Sequence, residues 1–282
     1  MTAFLDEIEA LFPQSKIETI GTRCFLVKSK GASDLEQNEV RVKLAVSPIE
    51  IQCLQREALW LHRLRHSPLC VQHSCSLERH GPLMILTTNH VQGISVDHLL
   101  RSADITPEQR KNVIEQLLTL LDGLSEEGIV HGDIKLSNLI LSKKSVLSLV
   151  DFANTRRVGE PLSERGILQV TPCYQYPKAM TEAHPYLDVY AALLCICVLG
   201  NKNADSLEEG LSALSYLSAF FLQSDALKWL ALGLETEHRV SHLYSSIADD
   251  LKRMGHIQNE KDSTMSFTNE VLDSSSVLGR VG

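Results

Sequence analysis

No apolar run in this 282-residue chain approaches the roughly 20 consecutive residues needed to cross a bilayer. The most apolar stretch, "YAALLCICVLG" at 190–200, is about half that length and reads as a buried helix. Basic residues are in deficit: 27 Lys and Arg stand against 35 Asp and Glu, for a net charge of −8. That balance argues against general affinity for nucleic acid or an anionic membrane, since neither polyanion is attracted over long range. Paired CxxC motifs are missing. The seven cysteines, an odd number, fit reduced thiols in a cytoplasmic compartment, whether of its own cell or of one into which it is delivered. The N-terminus "MTAFLDEIEALFP" carries acids where a secretory signal carries lysines. Its Phe4, Ile8, Leu11 and Phe12 follow helical spacing, which predicts a short packing helix ended near Pro13.

What is present is ordinary globular material, 44% hydrophobic and 22% charged, enough for one large domain or two lobes sharing a cleft. No internal repeat is apparent. In "HSPLCVQHSCSLERH" the residues His66, Cys70, His73, Cys75 and His80 are types that bind zinc, but the spacing matches no standard finger. Alternation along a strand sends successive candidates to opposite faces, so strand and loop residues are the preferred reading. From about 257 onward Ser, Thr and acids dominate, with too few apolar residues to offset the entropy of ordering, and a flexible tail is expected.

Before about residue 92, short apolar runs such as "CFLVKSK", "EVRVKLAVS" and "PLMILTT" alternate with turn formers and read as strands. One helix interrupts them, with Ile51, Leu54, Ala58, Leu61 and Leu64 as its stripe and Glu57 beside it. Beyond 92 helices take over. Thr106, Pro107 and Gln109 make a capping box, Val113, Leu117, Leu120, Leu121 and Leu124 form a buried face, and Gly128 ends the helix. Two short strands follow near 139–142 and 147–150. Further helices are expected over roughly 185–199, 205–222, 225–233 and 241–254. A strand-rich part joined to a helical part leaves a cleft suited to a ligand.

Phosphoryl transfer needs a carboxylate to orient the attacking hydroxyl and ligands for the metal that neutralises the phosphates. Asp133, on the loop after the long helix, and Asp151, at the end of the apolar strand "SVLSLV", are candidates. Asn138 offers a neutral oxygen five residues beyond Asp133 for a hard cation, and Lys135 can neutralise a migrating phosphate.

The segment "HGDIKLSN" followed by "VDFAN" resembles the catalytic loop and metal-binding DFG element of the protein-kinase family. The resemblance runs from about 15 to 254. "VRVK" matches the strand bearing the phosphate-binding lysine, which gives Lys43, and Glu57 matches its partner on the following helix. "VQGISVDHLL" from Val91 resembles the hinge and the helix after it, placing Thr88 near the back of the adenine pocket. "TPCYQYP" at 171–177 is similar to the peptide-positioning loop, Asp188 to the residue that holds the catalytic-loop backbone, and Arg239 to the anchor of the activation segment. Lys135 with Thr171 favours Ser/Thr over Tyr substrates.

Departures are as informative. The family's GxGxxG is reduced in "IGTRCFLVK" to Gly21, with Arg23 where the second glycine belongs. Arg23 is either a phosphate contact or a solvated residue on a hairpin turn, and Phe25 is expected to cap the site. Gly132 replaces the Arg of HRD and so removes the usual receptor for an activating phosphate. Ala153 replaces the Gly of DFG, and Lys178 the Glu of APE.

The resemblance implies an α+β, two-lobed protein-kinase-like fold: an N-terminal helix (1–14), a small antiparallel-sheet N-lobe with one key helix (15–91), a larger mainly helical C-lobe (92–256) and a tail (257–282). It implies an ATP-dependent Ser/Thr protein kinase, with Mg2+ or Mn2+ as cofactor and a protein bearing a Ser or Thr acceptor as partner, while the departure at Gly132 predicts no need of activation-segment phosphorylation. Asp133 and Lys135 are the expected catalytic pair. Gly21, Arg23, Lys43, Glu57, Thr88 and Val91 are the expected nucleotide site, and Asn138 and Asp151 the metal ligands. Two rivals stay open: a pseudokinase serving as a nucleotide-binding or scaffold module, and a kinase of small molecules.

Overall fold

The computed structural model describes residues 2–30, 37–162, 174 and 180–200. The expectations for the helices between 205 and 254, for the loop at 171–177 apart from Tyr174, for Lys178 and Arg239, and for the tail lie outside the described residues.

The chain opens with α1 (Thr2–Leu11) and continues into β1 (Lys16–Gly21), β2 (Cys24–Lys30) and β3 (Gln37–Ala45). Then come α2 (Pro48–Arg63), β4 (Ser74–His80) and β5 (Leu83–Asn89). The five strands form one antiparallel sheet in the order β1-β2-β3-β5-β4. Period-two alternation gives this sheet two different faces. On one face Phe25, Val27, Val42, Leu44, Leu83 and Ile85 close over Ile8 of α1, with Phe4, Leu5, Leu11 and Phe12 around it. On the other, Ala45, Met84 and Leu86 receive Leu54 of α2, with Ile51 and Ala58 at the edge. Phe25 therefore faces α1 and is buried there, contrary to the expectation that it caps the ligand site. It stands one residue from Cys24 and so on the opposite side of the strand.

Helix α2 starts where its sequence says it should. Ser47 accepts from the Glu50 backbone N–H, Glu50 accepts from that of Ser47, and Pro48 occupies the first turn. The second half begins with β6 (Ile94–Ser95), α3 (Val96–Arg101) and α4 (Pro107–Glu126). Thr106 and Gln109 form the expected capping box of α4, and Val113, Leu117, Leu121 and Leu124 are buried, with Leu120 partly so. Gly128 ends it with φ +64°, a left-handed conformation that costs glycine little. Next are β7 (Ile129–Val130), β8 (Leu139–Leu141), β9 (Leu147–Leu149) and β10 (Arg156–Arg157). β6, β8 and β9 form a small sheet, and β10 pairs with β7. The final described helix, α5 (Tyr186–Gly200), is apolar apart from Asp188, and its residues from Val189 to Ile196 are buried in the larger core.

No helix among the described residues is long and apolar enough to cross a membrane. Nor do any three His, Cys, Asp or Glu side chains converge as metal ligands there. In the segment singled out for zinc, the buried Cys70 donates to the Gln72 carbonyl at 2.8 Å, and burial pushes its thiol up to about 12.

Candidate active site

Strand β3 places Arg41 and Lys43 on the α2 side of the sheet, because Val42 and Leu44 point to α1. Lys43 Nζ reaches Glu57 of α2 at 2.7 and 2.8 Å and Asp151 Oδ1 at 2.8 Å, so three residues far apart in sequence share one charge cluster. Glu57 is only 1% exposed, which makes Lys43 its necessary partner. Burial, helped by the Asp151 charge, raises the Glu57 pKa. Burial also presses on Asp151, but the Lys43, Arg41 and Lys135 cations outweigh it and hold that carboxyl well below the usual range.

Asp151 follows β9 in a left-handed conformation, φ 73° and ψ 70°. For a non-glycine residue this costs about 1–3 kcal/mol, and it persists only where neighbours enforce it. Lys43 holds the side chain, and Phe152, packed edge-on to His131 at 5.0 Å, fixes the next residue. Gln72 adds a contact that sequence reasoning missed. Its buried amide donates to Thr88 Oγ1 at 3.0 Å and accepts from the Asp151 backbone N–H at 3.5 Å, linking the two residues. Only its burial beside Thr88 gives Gln72 this role, and no motif marks it.

The loop from His131 to Asn138 is held from below by Asp188 of α5, which accepts the His131 and Gly132 backbone N–H groups at 2.6 and 2.8 Å. Burial pushes the Asp188 carboxyl up to about 7 although both donors pull the other way. His131 Nδ1 accepts from the Asp133 N–H at 3.3 Å, and burial lowers the imidazole to about 4, so it is neutral at physiological pH. Gly132 has φ +78°, and a Cβ there would lie 2.9 Å from the Asn154 carbonyl. No side chain fits that place. Asp133 Oδ2 then accepts from Lys135 Nζ at 2.6 Å and Asn138 Nδ2 at 3.1 Å. Burial and the nearby Asp151 raise its pKa against the pull of Lys135. Asn138 also donates to the Asp133 carbonyl at 2.9 Å. Among the described residues its Oδ1 accepts no hydrogen bond. Together with the Asp151 carboxylate it supplies the hard oxygen donors that suit Mg2+.

The remaining sequence candidates are placed differently. Gly21 ends β1, and only Thr22 and Arg23 separate it from β2, so the hairpin turns tightly and has no glycine arch. The Arg23 guanidinium is paired with Glu50 and lies 5.5 Å over the Phe4 ring. A cavity of about 450 Å³ beside this turn is lined by Arg23, Cys24, Lys43, Cys53, Glu57 and Ala153. Ala153 sits in a short 3-10 turn with ordinary negative φ, so the missing glycine leaves no strain. Thr88 is buried, and Val91 is half-buried on the connection to β6. Arg156, in the segment after Asp151, is 4% exposed and fixed opposite Val130. Its Nη1 meets Glu160 at 3.3 Å, while Nε and Nη2 are buried and have no hydrogen-bond partner among the described residues.

The protein kinase domain model matches residues 30–209, nearly two thirds of the chain, and those residues include every element of this charge cluster. The chain belongs to the protein kinase family. Among its relatives, the serine/threonine-protein kinase SIK2 of Gallus gallus is 25% identical over 194 residues, 64% of this chain and 23% of the relative. The serine/threonine-protein kinase PknD of Mycobacterium tuberculosis is 28% identical over 169 residues, 57% of this chain and 25% of the relative. Cyclin-dependent kinase 11.1 of Caenorhabditis elegans is 32% identical over 78 residues, 28% of this chain and 11% of the relative. The chain thus spans a quarter or less of the length of each. Membership of the kinase family and the sheet-plus-helices architecture carry the expectation of ATP use and of protein kinase activity.

Proposed function

We propose that this chain is a Ser/Thr protein kinase that moves the γ-phosphoryl group of ATP to hydroxyls of a protein substrate. The observation that carries this reading is the meeting of Lys43, Glu57 and Asp151 in one ion cluster, with Asp133, Lys135 and Asn138 joined in a second. Folding alone does not demand two such clusters facing one cleft.

In this reading Asp133 accepts a hydrogen bond from the substrate hydroxyl and orients it toward the phosphorus. Lys135 leaves Asp133 in part to follow the charge on the migrating phosphoryl oxygens. Glu57 holds Lys43 so that its ammonium meets the phosphates. Asp151 and Asn138 are the residues that would hold Mg2+ or Mn2+, which would neutralise phosphate charge. Thr88 and Val91 border the base. Arg23 serves the phosphates only by exchanging Glu50 for them, so among the nucleotide residues it and Gly21 have the least geometric support. The preference for Ser/Thr rests on Lys135 and on the names of the relatives.

We also propose that transfer does not require a phosphorylated activation segment, because Gly132 leaves no side chain beside Asp133 to bind one. Arg156 is the observation that favours the opposite outcome, since it is buried with N–H groups that find no partner among the described residues. A pseudokinase is the second reading, favoured by the two-residue β1–β2 turn. A cytoplasmic setting and a protein partner complete the proposal. Incubation of the full chain with γ-labelled nucleotide, Mg2+ and a generic Ser/Thr substrate tests it: label on protein is expected, and none would leave the scaffold reading.

A further inference from the structure

Arg41, on the α2 face of β3, is a charged residue that no motif marks. It lies two positions before Lys43 on the same face of β3, directly opposite Leu26 on β2 and Thr88 on β5. Its Nε donates to Cys24 Sγ at 3.0 Å, which anchors the guanidinium across β2. Among the described residues its two terminal nitrogens, Nη1 and Nη2, make no hydrogen bond. The carboxylates that would ordinarily take them, Glu57 and Asp151, are already held by Lys43. Its charge is felt on both sides: at Lys43 it acts with burial against the Asp151 and Glu57 carboxylates, which still raise that pKa, and at His90 it adds to burial in lowering the imidazole against Glu39. The guanidinium therefore stands between the phosphate-binding lysine and the Thr88–Val91 stretch that borders the base.

We propose that Arg41 selects the purine base of the phosphoryl donor, and that this site takes guanosine triphosphate in preference to adenosine triphosphate. The inference rests on the kinase reading above and concerns only the donor's base. A guanidinium has N–H donors and no acceptor, and it does not lose its proton in a protein. Guanine presents two adjacent acceptors, O6 and N7, which match two guanidinium N–H groups. Adenine presents N7 beside an N6 amino group, which sets donor against donor. A plug that merely filled the cleft would bind its terminal nitrogens to the wall, and Arg41 leaves them free.

The test is equilibrium binding of ATP, GTP and inosine triphosphate, each with Mg2+, to the full chain and to Arg41→Met and Arg41→Ala. Inosine shares O6 and N7 with guanine but lacks the 2-amino group, so it isolates the edge that Arg41 reads. GTP and inosine triphosphate should bind wild type at least about tenfold more tightly than ATP, the size of one bidentate contact, and both variants should lose that preference. The inference is overturned if wild type prefers ATP or does not discriminate, or if the preference survives Arg41→Met. It is equally overturned if both variants bind all three more tightly, since Arg41 then obstructs the cleft. In each of those cases transfer of label from ATP would leave the kinase reading standing. If no triphosphate binds and no label moves, both fall together.

Discussion

Gly132 shows how one residue can decide what a loop is able to do. Its φ of +78° and the Asn154 carbonyl 2.9 Å from a would-be Cβ leave room for glycine alone. Gly132→Ala should destabilise the fold by about 1–2 kcal/mol for the left-handed backbone, with the close contact adding to it. Thermal denaturation of the variant checks this, and an unchanged midpoint would contradict the geometry. Asp151 carries a related strain and is useful for a different reason. Asp151→Ala should weaken Mg2+-dependent nucleotide binding, whereas Asp133→Asn should leave it nearly intact, because in the proposed reading Asp133 orients the hydroxyl and does not hold the phosphates. Titration of nucleotide with and without Mg2+ separates the two. Most of these residues were legible in the sequence because Lys43, Glu57, Asp133, Asn138 and Asp151 fall in motifs with fixed spacing. Gln72 and Arg41 were not, since their roles come from what lies across the sheet.

At the scale of elements, strands and helices with strong local signals came through. The capping box of α4 sits where Thr106 and Gln109 put it, and α2 carries a second one, from Ser47 and Glu50. Phe25 was misassigned because a one-residue offset along a strand reverses the face, and only the packing of α1 shows which face is covered. β1 and β4 are edge strands of the sheet with polar sequences, so their pairing is visible only in three dimensions. The loop joining β7 to β8 gives an acid-linked prediction. His131 is buried with a pKa lowered from 6.5 to about 4, so the folded state resists its protonation more than the unfolded chain does. That contribution to stability is present above pH 6.5 and is lost as pH falls toward 4, in total on the order of 3 kcal/mol. Asp188, raised to about 7, has the opposite slope over the same range, so the effect is read as a difference between variants. His131→Phe, which keeps the edge contact with Phe152, should lose less stability than wild type between pH 6.5 and 4. Denaturant midpoints at several pH values measure it, and parallel curves would contradict the assignment.

For the whole molecule, the question is whether the sheet, α2 and the two ion clusters work as an enzyme without further covalent change. Thr155 cannot serve as an accessible regulatory hydroxyl, since it is buried and donates to the His131 carbonyl at 3.3 Å. Phosphatase-treated protein, freed of the phosphatase, should therefore start transfer without a lag and within about tenfold of the untreated rate. A lag, or a larger loss, would show that an activating phosphate is needed, with Arg156 the first candidate to receive it.

The most direct measurement of phosphoryl transfer is the movement of γ-label from ATP, with GTP in parallel, to a Ser/Thr substrate by wild type and by Asp133→Asn in the presence of Mg2+. Wild type should label the substrate. Asp133→Asn should bind nucleotide as well as wild type yet transfer at a rate lower by at least about a hundredfold, the scale of a positioned catalytic base. Equal rates in the two proteins, or no label from either while nucleotide still binds, would contradict catalysis at this site.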